Sequence, residues 1–192
     1  MRIYTRGGDT GKTGLKGGVR RYKDDIRIDA LGTVDEAGAF IGLAVSWLER
    51  EGQDDLVALL IDVQQTLWDV GADLAVVHMD SCEYRTVNDA ASGLEPWIDQ
   101  YKEEAQAVKK FVLRGGTIAA SYLHVACTIV RRAERQTVHL MQQEEIHLPT
   151  LQYLNRLSDL LFVLARAVNA RSMRQDIEYV HSKEVFHSDR SN

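Results

Sequence analysis

Residues 54–74 read Asp54-Asp55-Leu56-Val57-Ala58-Leu59-Leu60-Ile61-Asp62-Val63-Gln64-Gln65-Thr66-Leu67-Trp68-Asp69-Val70-Gly71-Ala72-Asp73-Leu74. Apolar residues at 56, 59, 60, 63, 67, 70 and 74 recur at steps of three and four, which predicts an amphipathic helix over about 54–78. The same spacing in Leu31, Val34, Gly38, Ile41, Val45 and Leu48 predicts a helix over 25–51. Residues 80–93 are polar and close on Ala90-Ala91-Ser92-Gly93, a loop. A third helix is expected from near Leu94 to about Lys109, with Pro96 tolerated in its first turn. Lys110 to Gly116 break the pattern with an apolar run and a glycine pair. Thr117 is placed to cap a fourth helix that carries Ile118, Tyr122, Val125, Ile129 and Ala133 as its core stripe and ends near Gln143. The fifth follows Pro149 through Leu151, Leu154, Leu157, Leu161, Leu164 and Val168 and stops near Ser172. No strand alternation stands out, so the expected fold is an all-α five-helix bundle of ferritin-like type in one domain over 1–192. Residues 1–24 form a glycine-rich N-terminal leader, about 25–172 the bundle and 173–192 a tail.

Charge is distributed unevenly over this plan. Residues 1–27 hold eight Lys or Arg against three Asp, whereas the remaining 165 hold 15 against 25. Six of the 14 glycines lie between Gly7 and Gly18. Glycine lets backbone amides approach and turn toward a ligand while Lys and Arg bring charge, a combination suited to a polyphosphate. Gly11-Lys12-Thr13 looks like the end of a P-loop, but that motif needs a glycine where Arg6 stands and a buried strand before it. The alternative is a disordered basic segment, against which stand the apolar anchors Ile3, Tyr4 and Leu15. The net charge of −5 argues against general nucleic-acid or membrane binding. Cys82 and Cys127 show no metal or redox spacing, and no signal-peptide stretch follows Met1, so a cytoplasmic setting is expected.

Three further clusters stand out. Arg131-Arg132-Ala133-Glu134-Arg135 is a solvated charged face or a fork for phosphate oxygens. It continues the face of Ala120, His124 and Cys127, whose small and nearly uncharged residues suit a covered surface such as a subunit contact. Asn155, Ser158, Asp159, Phe162 and Arg166 form a polar stripe beside the leucine face of the fifth helix, either an ordinary exposed face or the lining of a cleft or subunit interface. Asp35 sits among apolar positions and would need a partner if buried. Glu144-x-x-His147 has the spacing of a di-iron ligand pair, but it occurs once, so a solvated helix end is the simpler reading.

Together the segments resemble the PduO-type ATP:cob(I)alamin adenosyltransferases over nearly the whole chain. The resemblance rests on Tyr4-Thr5-Arg6-x-Gly8-Asp9-x-Gly11-x-Thr13, Lys23-Asp24-Asp25, Gly32-Thr33-Val34-Asp35-Glu36 and Phe40-Ile41-Gly42. It continues in Gly71-Ala72-Asp73-Leu74, Phe111-Val112-Leu113-x-Gly115-Gly116, Arg131 to Arg135 and Asn155 to Asp159. It implies a cobalamin adenosyltransferase-like five-helix bundle, assembled as a homotrimer with active sites between subunits. The implied reaction moves the 5′-deoxyadenosyl group of ATP, with Mg²⁺, to reduced cobalamin and releases triphosphate. Thr5, Arg6, Gly7, Gly8, Thr13, Gly14 and Lys23 match the nucleotide-binding leader. Arg131, Arg132, Glu134, Arg135 and Asn155 match a second ATP-contacting set. Phe111 matches the aromatic that packs on the corrin and excludes its lower ligand, Phe186 a residue lining that pocket, and Asp35 an acid at the subunit boundary. On this resemblance Phe111, Arg131 and Asn155 carry catalysis. A downstream cobalamin-dependent enzyme or reductase is an implied partner, and a non-catalytic nucleotide-binding bundle is the alternative function. Two positions depart from the family pattern. Cys127 stands where an arginine usually pairs with the acid at 35, and Arg114 stands where proline is common. Restoring arginine at 127 is expected to tighten cobalamin binding or raise turnover.

Overall fold

The computed structural model describes residues 3–77, 83–107 and 109–183. Two short strands, β1 (Lys12–Gly14) and β2 (Arg20–Tyr22), precede five helices: α1 (Ile26–Arg50), α2 (Asp54–Leu74), α3 (Glu95–Lys102), α4 (Ile118–Met141) and α5 (Leu148–Arg171). The strands pair antiparallel, with Thr13 opposite Arg21. This hairpin is absent from the sequence reading because three-residue strands in a glycine-rich segment leave no alternation to detect.

Helix α2 follows its pattern: Leu56, Leu59, Leu60, Val63, Leu67, Val70 and Leu74 are all buried. It packs on α1, α1 on α4, and α4 on α5, while α3 lies against α5. Helix α4 keeps its expected stripe at Ile129 and Ala133, which are buried, but departs from it toward its N-terminus. Ile118 is 49% exposed and Val125 39%, whereas Ala119, Ala120, Leu123, His124, Ala126 and Cys127 are buried. The reason is the α1 face opposite, which offers Ala30, Ala37 and Ala44, each fully buried. Small residues on both helices let the backbones approach, so the alanine row makes the seam and the bulkier row turns outward. The Ala120–His124–Cys127 face is covered, as expected, but by its own chain: Cys127 Sγ meets the Ser158 carbonyl of α5 at 3.2 Å.

Helix α3 ends at Lys102, short of Lys109. Beyond it Arg171 takes the Glu104 carboxylate at 2.6 and 2.8 Å, and Arg166 takes the Gln106 carbonyl, so the chain is drawn off the helical path. Arg171 also forks onto Asp55 at 2.9 and 2.7 Å. Hydrogen bonds from that guanidinium hold the Asp55 carboxyl down at about 2.

The entry into α4 depends on a glycine. Thr117 caps the helix, accepting from the Ala120 N–H at 3.1 Å. Buried Asn169 of α5 accepts from the Thr117 N–H at 3.0 Å and donates to the Gly115 carbonyl at 2.9 Å. Gly116 has φ +119°, and a Cβ there would lie 2.0 Å from Asn169 Oδ1.

The base of the bundle is joined by Arg27, whose residue is 1% exposed. Its guanidinium donates to the carbonyls of Leu74 and Val76 at 2.7 Å each, to Glu145 O at 3.2 Å, and to Glu144 Oε2 at 3.3 and 3.0 Å. Arg21 of β2 reaches the same carboxylate at 3.1 Å. His147 meets the Thr86 carbonyl at 2.7 Å and stacks on Tyr84 with ring centroids 4.1 Å apart. The Glu-x-x-His pair is therefore a packed junction rather than a solvated helix end.

Two substitutions test these joints. Arg27→Ala leaves several buried acceptors unpaired and should lower unfolding free energy by about 3 kcal/mol in urea titration; a change under about 1 kcal/mol would remove Arg27 as the anchor. Gly116→Ala combines a left-handed backbone with displacement of Asn169 and should cost roughly 2–4 kcal/mol. A thermal midpoint equal to that of the parent protein would refute that closure.

Candidate active site

The leader folds its glycines against its own cations. The Gly11 N–H donates to the Gly8 carbonyl at 3.1 Å, and the Lys23 N–H to the Gly11 carbonyl at 2.8 Å. Lys23 Nζ lies over Gly8, where a Cβ would be 3.0 Å away. Arg20 donates to the Gly7 carbonyl, and the Gly7 N–H to Thr5 Oγ1 at 3.4 Å. Arg6, at φ +60°, places its guanidinium 5.8 Å from the Tyr4 ring centroid. Thr13 and Gly14 lie on β1 opposite Arg21 and Arg20. The result is an exposed glycine turn flanked by Lys23 and Arg20, a suitable cradle for an anion. The hairpin is docked on the end of α2, where the Lys16 N–H meets the Ala75 carbonyl at 3.1 Å.

The second cluster lies on α4 and α5. Arg131, Arg132 and Arg135 are exposed. Arg132 pairs with Glu36 of α1, Arg135 donates to the Arg131 carbonyl at 3.0 Å, and Asn155 donates to Glu134 at 2.8 Å. Among the described residues no hydrogen bond or ion pair joins this set to the segment from Thr5 to Lys23. The leader is tied at Glu144, beyond the end of α4, and Arg131 lies roughly 15 Å of helix rise before that end. The two residue sets are thus each held by contacts of their own, and no hydrogen bond or ion pair among the described residues links one to the other.

The third group surrounds Phe111, which is 55% exposed. Arg114, in the same loop, reaches Cys127 Sγ at 3.5 Å with its guanidinium 6.0 Å from the Phe162 ring centroid. The two departures from the family pattern therefore touch. Burial pushes the Cys127 thiol up. His124, one turn before it, is buried, and neither ring nitrogen has a hydrogen-bond partner among the described residues. Burial, reinforced by Arg114 and Arg166, pushes it down to about 4. The polar stripe of α5 runs from exposed Asn155 and Asp159 to buried Ser158 and Arg166, and it packs under this loop.

Asp35 is exposed rather than buried, on the wall of a cavity of about 670 Å³ between α1 and α2. Leu31, Gly32, Gly38, Trp68 and Gly71 shape that cavity, with Arg85 at one side. The sequence reading missed Trp68 and Arg85. The signal available was a tryptophan outside the leucine stripe of α2, where it is 73% exposed. Phe186 and Cys82 lie outside the described residues.

The chain matches the cobalamin adenosyltransferase family over residues 3–168. It is 50% identical over 187 residues to a corrinoid adenosyltransferase of Bacillus subtilis, covering 97% of this chain and 96% of the relative. It is 37% identical over 183 residues to a cobalamin adenosyltransferase of Cupriavidus metallidurans, covering 95% and 96%. Among solved structures, a variant PduO-type ATP:corrinoid adenosyltransferase from Lactobacillus reuteri, complexed with cobalamin and ATP, superposes with a TM-score of 0.92. That protein is 42% identical, and the match covers 96% of this chain and 100% of that one. The family match over residues 3–168 and the 50% identity to a relative along nearly its whole length show that this chain belongs to the cobalamin adenosyltransferase family.

Proposed function

We propose that this protein transfers the 5′-deoxyadenosyl group of ATP to the cobalt of cob(I)alamin at sites formed between the subunits of a homotrimer. The observation that carries the reading is its likeness, over 96% of its length, to a structure complexed with both substrates. Cobalt(I) is itself a strong nucleophile: a Co–C bond forms at the ribose 5′-carbon, the C–O bond to phosphate breaks, and the electron pair leaves with triphosphate. The protein's tasks are alignment and stabilisation of the leaving charge.

Thr5, Arg6, Gly7, Gly8, Thr13, Gly14 and Lys23 hold the polyphosphate through amides and an ammonium. Arg131, Arg132, Glu134, Arg135 and Asn155 of a neighbouring subunit complete the pocket. Assembly accounts for the lack of a hydrogen bond or ion pair between the two sets among the described residues. It is also supported by an exposed apolar face on the α1–α4 pair, where Leu43, Ile118 and Val125 lie open. The described residues bring together no group of three His, Cys, Asp or Glu. Magnesium enters as part of Mg-ATP, bound to phosphate oxygens and water. Phe111 supplies the exposed ring that packs on the corrin and excludes a lower ligand, and Asp35 approaches from the neighbouring subunit. Among the described residues no helix is long and apolar enough to cross a membrane, and the setting we propose is cytoplasmic.

Mixing the protein with Mg-ATP and chemically reduced cobalamin should yield a light-sensitive Co–C species and triphosphate in equal amounts. Binding of ATP without either product would instead establish a non-catalytic nucleotide-binding bundle. The contact between Arg114 and Cys127 revises the expectation for position 127, because Arg114 already brings a guanidinium there. Arg114→Ala should raise the KM for cob(I)alamin about tenfold, the equivalent of one charge-assisted hydrogen bond. Cys127→Arg should recover the loss in that background and do little alone; a KM identical in all three variants would dissociate both residues from corrinoid binding.

A further inference from the structure

Phe111 presents a half-exposed ring on a loop backbone. That backbone is held by the segment following α5. The Phe111 carbonyl accepts from the Tyr179 N–H at 2.7 Å, and the Phe111 N–H donates to Ser182 Oγ at 3.2 Å. The Leu113 N–H donates to the Ile177 carbonyl at 2.7 Å, and Val112 bridges Glu178 in antiparallel register. Lys110 and Glu178 add an ion pair at 3.6 Å. Both segments begin at one side chain. Arg166 Nε donates to Asp176 Oδ2 at 2.7 Å, immediately before the paired stretch 177–179, and its other arm holds the Gln106 carbonyl on the approach to Phe111.

Arg166 is an unexpected residue at its position. Leu164, Ala165, Ala167 and Val168 around it are fully buried, and the Arg166 side chain is 8% exposed against 17% for Asp176. A buried ion pair is seldom more stabilising than apolar packing of the same volume, so stability alone does not account for it. Its geometry does. A planar guanidinium can hold a carboxylate and a carbonyl at once in fixed directions, with its face toward Phe162 at 5.9 Å.

We propose that Arg166 is a positioning residue for Phe111, clamping the two segments whose pairing holds the backbone that carries that ring. The assignment rests on the adenosyltransferase reading for its kinetic consequence but not for its structural one. Asp176→Asn removes the charge at the outer, partly exposed partner and spares the core; Arg166→Lys keeps the charge without the fork, and Arg166→Met removes both. In Asp176→Asn, amide hydrogen exchange at Leu113 and Tyr179 should quicken about tenfold, the equivalent of one charge-assisted hydrogen bond. The kcat/KM for cob(I)alamin should fall by about the same factor, with the KM for ATP within about twofold. Arg166→Lys should lie between the parent protein and Arg166→Met on both readouts. Unchanged exchange in folded Asp176→Asn, or equal losses toward cobalamin and ATP, would overturn the clamp. A parent protein without adenosyl transfer would defeat the functional reading alone, since the exchange measurement tests the clamp independently.

Discussion

Arg27 is the constraint on which the placement of the other parts depends. A guanidinium has five N–H donors and no acceptor, and here the buried side chain makes five hydrogen bonds. Two end on the carbonyls that leave α2, and three on the residues that leave α4. Of these the Leu74 carbonyl is a helix-terminal group that α2 cannot satisfy internally, and the others belong to the chain just beyond the two helices. One charged group therefore ties the exits of two helices together and fixes their separation. Glu144 shares its carboxylate with Arg21, so the position of the leader hairpin follows from the same junction. The anion cradle at Gly8 and Lys23 is carried on that hairpin.

Above this junction the bundle is organised by side-chain size as much as by polarity. The antiparallel course of α1 and α4 follows from Arg27 meeting Glu144 while Glu36 meets Arg132. Between those contacts the seam is alanine on both sides, which brings the helices close and leaves Leu43, Ile118 and Val125 outside. A single chain would not gain from exposing such a row; a subunit contact would bury it. The same choice of register places Cys127 beneath Arg114 and turns Arg131 to the surface.

The legibility of the sequence followed these physical differences. Helix α2 was readable because large aliphatic residues mark its buried stripe and acidic ones begin it. The buried face of α4 was readable only in part: Ile129 and Ala133 mark it, but nearer the N-terminus alanine is weakly hydrophobic and its pattern is masked by Ile118 and Val125 on the outer side. The end of α3 was set by Arg166 and Arg171, residues some sixty positions further along, which no local window contains. For the site, the glycines and cations of the leader and the Arg131–Arg135 run stood out in composition, and the family resemblance linked them. Asp35 could be located but not its exposure, since that depends on Gly32, Gly38 and Gly71 opening a cavity beside it. Arg166 looked like the last member of a polar stripe, because its partners at 106 and 176 carry no periodic signal.

The pairing of residues 111–113 with 177–179 also bears on how the molecule is built up. The partners are far apart in sequence, and closing so long a loop unaided is entropically costly. Helices α4 and α5 remove most of that cost, because their antiparallel packing brings Thr117 and Arg171 to the same end of the bundle, where Asn169 already grips the Gly115 carbonyl. Only the short spans outside the helical hairpin remain to be ordered. The surface around Phe111 thus depends on more than the helices: a chain whose helices have packed but whose residues beyond α5 have not docked would have a complete core and an unfinished site.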